Sequence, residues 1–198
     1  MNIAVIGGTG RTGKAVIAEA KRRGHTVTNA TRSGSEHEAA DKNVQVDVAK
    51  TSDLVDLING NDATILAIGG LAEKAPEIYR NLIAAAPTGR FIVVGGAGSL
   101  LDAEGKRLVD GDFPDDWKPE ALAYAEVLED LRAAGTAVRW SFISPAPLYP
   151  EGRASGAYVV GKDSPAGERL AAEDMALALV DEAENDAHRT ERFTVASA

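Results

Sequence analysis

No cysteine occurs among the 198 residues. Disulfides, thiol nucleophiles and cysteine-held metals are thereby excluded, and a reducing, cytoplasmic location is expected. Histidine is scarce too: His25, His37 and His188 are the three present, and none has a partner at metal-ligand spacing, so no metal is expected. No apolar run is long enough to cross a bilayer. Met1 leads directly into a strand-like run rather than a secretory signal, so no membrane partner is expected. Basic residues are outnumbered, with 21 Lys and Arg against 30 Asp and Glu and a net charge of −9. That field disfavours nucleic acid as a partner, although a few local donors still suffice for an anionic cofactor. Repeats, linkers and low-complexity tracts are missing as well. With 44% hydrophobic residues the chain is not disordered, and residues 1–198 read as one domain with a sizeable core.

What is plentiful is glycine, and it is concentrated where it matters. Residues 2–13 read NIAVIGGTGRTG. Ile3, Ala4, Val5 and Ile6 form an apolar run without polar alternation, as in a strand buried on both faces of a parallel sheet. Gly7, Gly8, Gly10 and Gly13 follow, with Thr9, Arg11 and Thr12 between them, and residues 14–23 read as a helix. Strand, glycine turn and helix in that order make a seat for a pyrophosphate. The backbone can approach closely, and the helix start offers free N–H groups.

Further strands are expected at residues 25–31, 43–48, 62–70, 90–96 and 136–143. Helices are expected from Thr51 to Gly60, from Pro76, and over 119–134 and 172–184. Short strands at 157–160 and 192–196 complete the set. The alternation implies an α/β, Rossmann-type, doubly wound parallel sheet with helices on both faces. The second strand ends in Thr31-Arg32-Ser33 with no acid until Glu36. An NAD site usually carries an acid there, so Arg32 and Ser33 favour the 2′-phosphate of NADP(H). Ala67, Ile68 and Gly69 leave room for a ligand at the carboxyl end of the fourth strand, and Gly95 does so at the fifth. Phe113 and Trp117, in a long loop over 100–118, either cover a flat ring or fold back onto the core.

The spacing Gly7-x-x-Gly10-x-x-Gly13 and the wording GGTGRTG resemble the NmrA-like, NAD(P)H-binding branch of the atypical short-chain dehydrogenase/reductases, which includes the flavin/biliverdin-IXβ reductases. The resemblance spans nearly the whole chain. It implies that Asp47 and Val48 lie beside the adenine, although Asp47 also suits a strand-end cap. It places Ser144 and Pro145 near the nicotinamide, with residues 144–170 and the C-terminal helix and strand on the substrate side. It offers Ser99 as the late counterpart of a catalytic hydroxyl. On the helix over 119–134 the active members carry Tyr-x-x-x-Lys. By register the tyrosine position here holds Glu120 and the lysine position holds Tyr124, leaving Tyr124 as the residue facing the cofactor. The literal Tyr158…Lys162 falls on a strand, which spreads the pair along the chain. The function implied is an NADPH-dependent reductase of a small planar acceptor such as a flavin or quinone. The alternative is a non-catalytic NAD(P) sensor of the NmrA-like kind. A monomer or small homo-oligomer is expected.

Overall fold

The computed structural model describes residues 1–150 and 152–198. Eight strands form one sheet: β1 (Asn2–Ile6), β2 (Thr26–Thr31), β3 (Lys42–Gln45), β4 (Ala63–Leu66), β5 (Arg90–Val94), β6 (Arg139–Pro145), β7 (Tyr158–Gly161) and β8 (Arg192–Ser197). Their spatial order is β3-β2-β1-β4-β5-β6-β8-β7, all parallel except the β7–β8 pair. The helices are α1 (Arg11–Arg22), α2 (Thr51–Asn59), α3 (Ala75–Ala85), α4 (Lys118–Ala134) and α5 (Ala172–Asn185).

The apolar strands feed two cores because successive side chains point to opposite faces. Ile3, Val5, Ile65, Ile92 and Ile143 pack with Val16, Ile17 and Ala20 of α1 and with Met175, Leu179 and Val180 of α5. Ile6, Leu66, Phe91, Val93, Trp140 and Phe142 pack with Leu54 and Ile58 of α2, Leu82 of α3 and Leu128 and Leu131 of α4. The sheet is thus wrapped on both sides, as the continuous apolar runs imply. Both α1 and α5 lie on one face, and Arg23 at the end of α1 pins them together through Asp181 at 2.6 Å and Glu184 at 2.7 Å.

Several boundaries differ from the expectations; β4, for one, ends at Leu66 rather than at residue 70, and β5 at Val94 rather than at 96. Helix α1 begins at Arg11 rather than Lys14, so Gly13 sits inside its first turn. Strand β3 stops at Gln45, leaving Asp47 and Val48 in the following turn. Strand β6 starts at Arg139 and runs through Pro145, because Gly135–Ala137 forms a 3-10 turn after α4. Gly135 enters that turn at φ +53°, and its carbonyl accepts the Trp140 indole N–H at 3.1 Å. No helix among the described residues is long and apolar enough to cross a membrane.

Candidate active site

Strand order reverses between β1 and β4, and open α/β sheets bind ligands at such a switch, beyond the carboxyl ends of the strands. The turn after β1 is built around missing side chains. Gly7 has φ +82°, and a Cβ there would lie 2.2 Å from the Ala67 carbonyl oxygen. A Cβ on Gly13 would lie 2.2 Å from the Gly7 carbonyl oxygen, whereas one on Gly10 would be 3.2 Å from the same atom. Gly8 is also required, for a reason its place in the glycine cluster does not reveal: its Cβ would strike the buried Asn29 amide at 2.2 Å. Gly10 precedes α1 without any side-chain cap, and the first turn contains no acid. The leading N–H groups of α1, on Arg11, Thr12 and Gly13, are therefore left for an anion. This cradle suits a dinucleotide pyrophosphate.

Arg32, expected at the adenosine end, is exposed just past β2. Its carbonyl accepts the Gln45 amide at 3.0 Å, which fixes the backbone while its guanidinium makes no ion pair among the described residues. The Ser33 and Ser35 hydroxyls share a hydrogen bond of 2.6 Å. Asp47 accepts the Ala49 N–H at 3.1 Å, so its carboxylate does cap the turn.

At the other end lies a cleft of about 700 Å³. Its walls are the ends of three strands and one loop: Ala67–Gly69 after β4, 94–98 after β5, 145–149 after β6, and the segment 108–117 leading into α4. Thr12 reaches it from α1 and its hydroxyl bonds the Tyr149 hydroxyl. Gly95 owes its identity to packing as well as access, since a Cβ would lie 2.1 Å from the Phe142 ring. Phe113 and Trp117 both line the cleft, and Trp117 is 62% exposed. Neither ring is folded back onto the core.

Tyr124 also lines the cleft, and its hydroxyl donates to the Ile68 carbonyl. Burial, reinforced by the charge of Glu120, pushes its pKa up. Its ring meets Tyr79 edge-on at 6.2 Å. Glu120 accepts the Gly70 N–H at 2.6 Å, so α4 holds the loop after β4 at two points.

Other expectations are corrected. Ser99 is buried and does not line the cleft; it lines a smaller pocket of about 230 Å³ with Asp163 and Arg192. Arg192 donates toward the Ser99 hydroxyl at 3.4 Å and the Ser144 hydroxyl at 3.5 Å. Ser144 is thereby turned from the cleft while its neighbour Pro145 enters it, the ordinary consequence of strand alternation. The substrate side is narrower than expected: 145–149 contribute, but no described residue from 152–170, α5 or β8 does. Helix α5 instead packs against α1 on the sheet face. Tyr158 donates to Asp181 at 2.6 Å. No group of three His, Asp or Glu side chains suited to a metal occurs among the described residues.

The glycine cradle at the switch point, the uncapped helix behind it and the adjoining apolar cleft define a dinucleotide-binding Rossmann-type domain. The chain belongs to the NAD(P)H-binding family, whose profile matches residues 7–186. It is 35% identical to the uncharacterised protein YwnB of Bacillus subtilis strain 168, over 100% of this chain and 99% of that one. Among solved structures it is similar to a protein of Streptococcus pneumoniae TIGR4 provisionally described as an NADH-flavin reductase, at 35% identity, full coverage of both chains and a TM-score of 0.83. A Bacteroides thetaiotaomicron protein provisionally described as an epimerase is 33% identical, with 99% and 96% coverage and a TM-score of 0.86. These likenesses agree with an NmrA-like, atypical short-chain dehydrogenase/reductase and with an oxidoreductase.

Proposed function

We propose that the chain is an NADPH-dependent reductase of a planar conjugated acceptor such as a flavin or a quinone. The observation that carries this reading is the cleft beside the switch point, apolar and edged by Phe113, Pro114 and Trp117. Such walls suit a flat ring laid against a second ring. A bound nicotinamide supplies two electrons and one proton as hydride, and the acceptor takes its second proton from water. The protein binds and orients. Gly95 and Pro145 admit the rings, and Tyr124 and Glu120 hold the loop after β4 at its Ile68 carbonyl and Gly70 N–H.

Tyr124 is a poor proton donor, since burial raises its pKa and its hydroxyl is already donated to Ile68. An acceptor protonated by water needs no such donor, which favours flavins and quinones over alcohols and sugars. The preference for NADPH rests on Arg32, a cation without an ion pair among the described residues, where an NAD site usually carries an acid. The pneumococcal relative is described with NADH, so both coenzymes belong in the test. NADPH and NADH oxidation are followed with FMN, FAD, riboflavin and simple quinones, alongside binding titrations. Turnover with tight NADPH binding is expected. Tight binding without turnover across the panel would replace this reading with that of a redox sensor acting on a protein partner.

A further inference from the structure

We infer that the ring accepted in this cleft is uncharged or cationic, and that phosphorylated flavins and other anionic acceptors are selected against. The inference rests on the reductase reading and narrows its substrate class. Among the described residues lining the cleft, the charged ones are Asp102, Asp112 and Glu120, and all three are acidic. No described Lys, Arg or His lines it. The three acids come from separate parts of the acceptor wall. Asp112 adjoins Phe113, and Glu120 lies one helical turn beyond Trp117.

Two of the three are held in place. Asp102 accepts the N–H groups of Glu104 at 3.0 Å and Lys106 at 2.8 Å. Glu120 accepts the Gly70 N–H at 2.6 Å. Neither can swing away without abandoning those bonds. The nearby cations are directed elsewhere. Arg107 forms a two-bonded pair with Asp110 at 2.7 and 2.8 Å and lines the smaller pocket. Lys118 lines a groove between α4 and the start of α3. Arg32 lies past β2, and Arg11, in the first turn of α1, does not line the cleft although its charge reaches the Tyr149 hydroxyl at the cleft edge. An anionic acceptor therefore meets like charge with no cation among the described lining side chains to neutralise it, in a setting where apolar walls reduce screening. A bound dinucleotide adds phosphate charge beside the same cleft. A neutral ring gains the same apolar contact without that repulsion.

Riboflavin and FMN share a ring and differ by a phosphate, and menadione and 1,4-naphthoquinone-2-sulfonate make a similar pair. At low ionic strength kcat/KM with NADPH should favour the neutral member by about tenfold or more, narrowing as salt screens the field. Asp112→Lys should close or reverse the ratio. Equal or better use of FMN by the wild type, or a ratio unmoved by Asp112→Lys, would overturn the inference. Binding is read separately by flavin fluorescence anisotropy on the NADP⁺-loaded protein. Tighter riboflavin than FMN without turnover would uphold the charge selection while overturning the reductase reading. Turnover that prefers FMN would do the reverse, and failure of every ring to bind would overturn both.

Discussion

The two ends of the site are built by different physics. At the phosphate end, contacts of 2.2 Å from an added Cβ dictate residue identity at Gly7, Gly8 and Gly13. At the acceptor end, the wall is mostly loop, and its residues share little beyond being apolar or acidic. The first end is specified by what must be absent and tolerates almost no substitution. The second is specified by surface character, which many sequences can supply. A family can therefore keep one dinucleotide seat while its acceptors diverge.

Substitutions can break that contrast. Gly13→Ala should have the largest effect, because the new methyl meets the Gly7 carbonyl and the neighbouring Gly8 backbone. Binding of both coenzymes should fall by about 100-fold or more, equivalent to about 2.8 kcal/mol, and thermal unfolding should show a loss of about 1–3 kcal/mol. Retained NADPH affinity would mean the cradle is softer than its geometry. Arg32→Ala comes next. NADPH affinity should weaken by about 1.5–3 kcal/mol, the range for a hydrogen bond to a charged group, while NADH binding holds. Equal losses for the two coenzymes would remove Arg32 from the 2′-phosphate.

Asp174 supplies a control away from both ends. Burial works to raise its pKa, but bonds from the Ser155 and Gly156 N–H groups and the Ser155 and Ser197 hydroxyls outweigh that and hold it low. Its folded pKa lies below the unfolded value of about 3.9. The stabilisation is therefore complete above about pH 4 and is lost as pH falls through the folded pKa. Asp174→Asn should cost about 1–3 kcal/mol at neutral pH, and the gap from wild type should shrink on acidification in denaturant titrations. A gap constant down to pH 2 would contradict the carboxylate's role. The smallest effect belongs to Trp117→Ala. At 62% exposure it contributes little to folding. Acceptor KM should rise by an amount matching the loss of an aromatic contact, about 0.5–1.5 kcal/mol, with coenzyme affinity unchanged. A fall in coenzyme affinity instead would place the ring over the nicotinamide.

The same contrast decides what could be read from residues alone. The strand-turn-helix seat was legible because periodicity and glycine spacing are local, and so was the order of the strands along the chain. Ser99 was misplaced because its direction is set by Arg192, 93 residues away, on a strand that pairs with β6. Ser144 followed it for the same reason. The acceptor wall was legible as a loop but not as a wall. Its shape depends on Asp102 folding a turn back on itself and on the bridge between Leu101 and Arg107. The early end of β3 left no periodic mark in a strand whose Lys42, Asn43 and Gln45 are exposed.

The place of β8 has a consequence for the order in which this protein is made. Among the described residues β7 pairs only with β8, and β8 fills the position between β6 and β7. Residues 158–161 thus emerge from the ribosome without a neighbour and wait until 192–197 have followed. The strands bearing the glycine turn pair within the first 66 residues. During synthesis the strand that carries the glycine turn has its sheet partners long before α5 arrives to cover α1 and Arg192 to fix Ser99, Ser144 and Asp163.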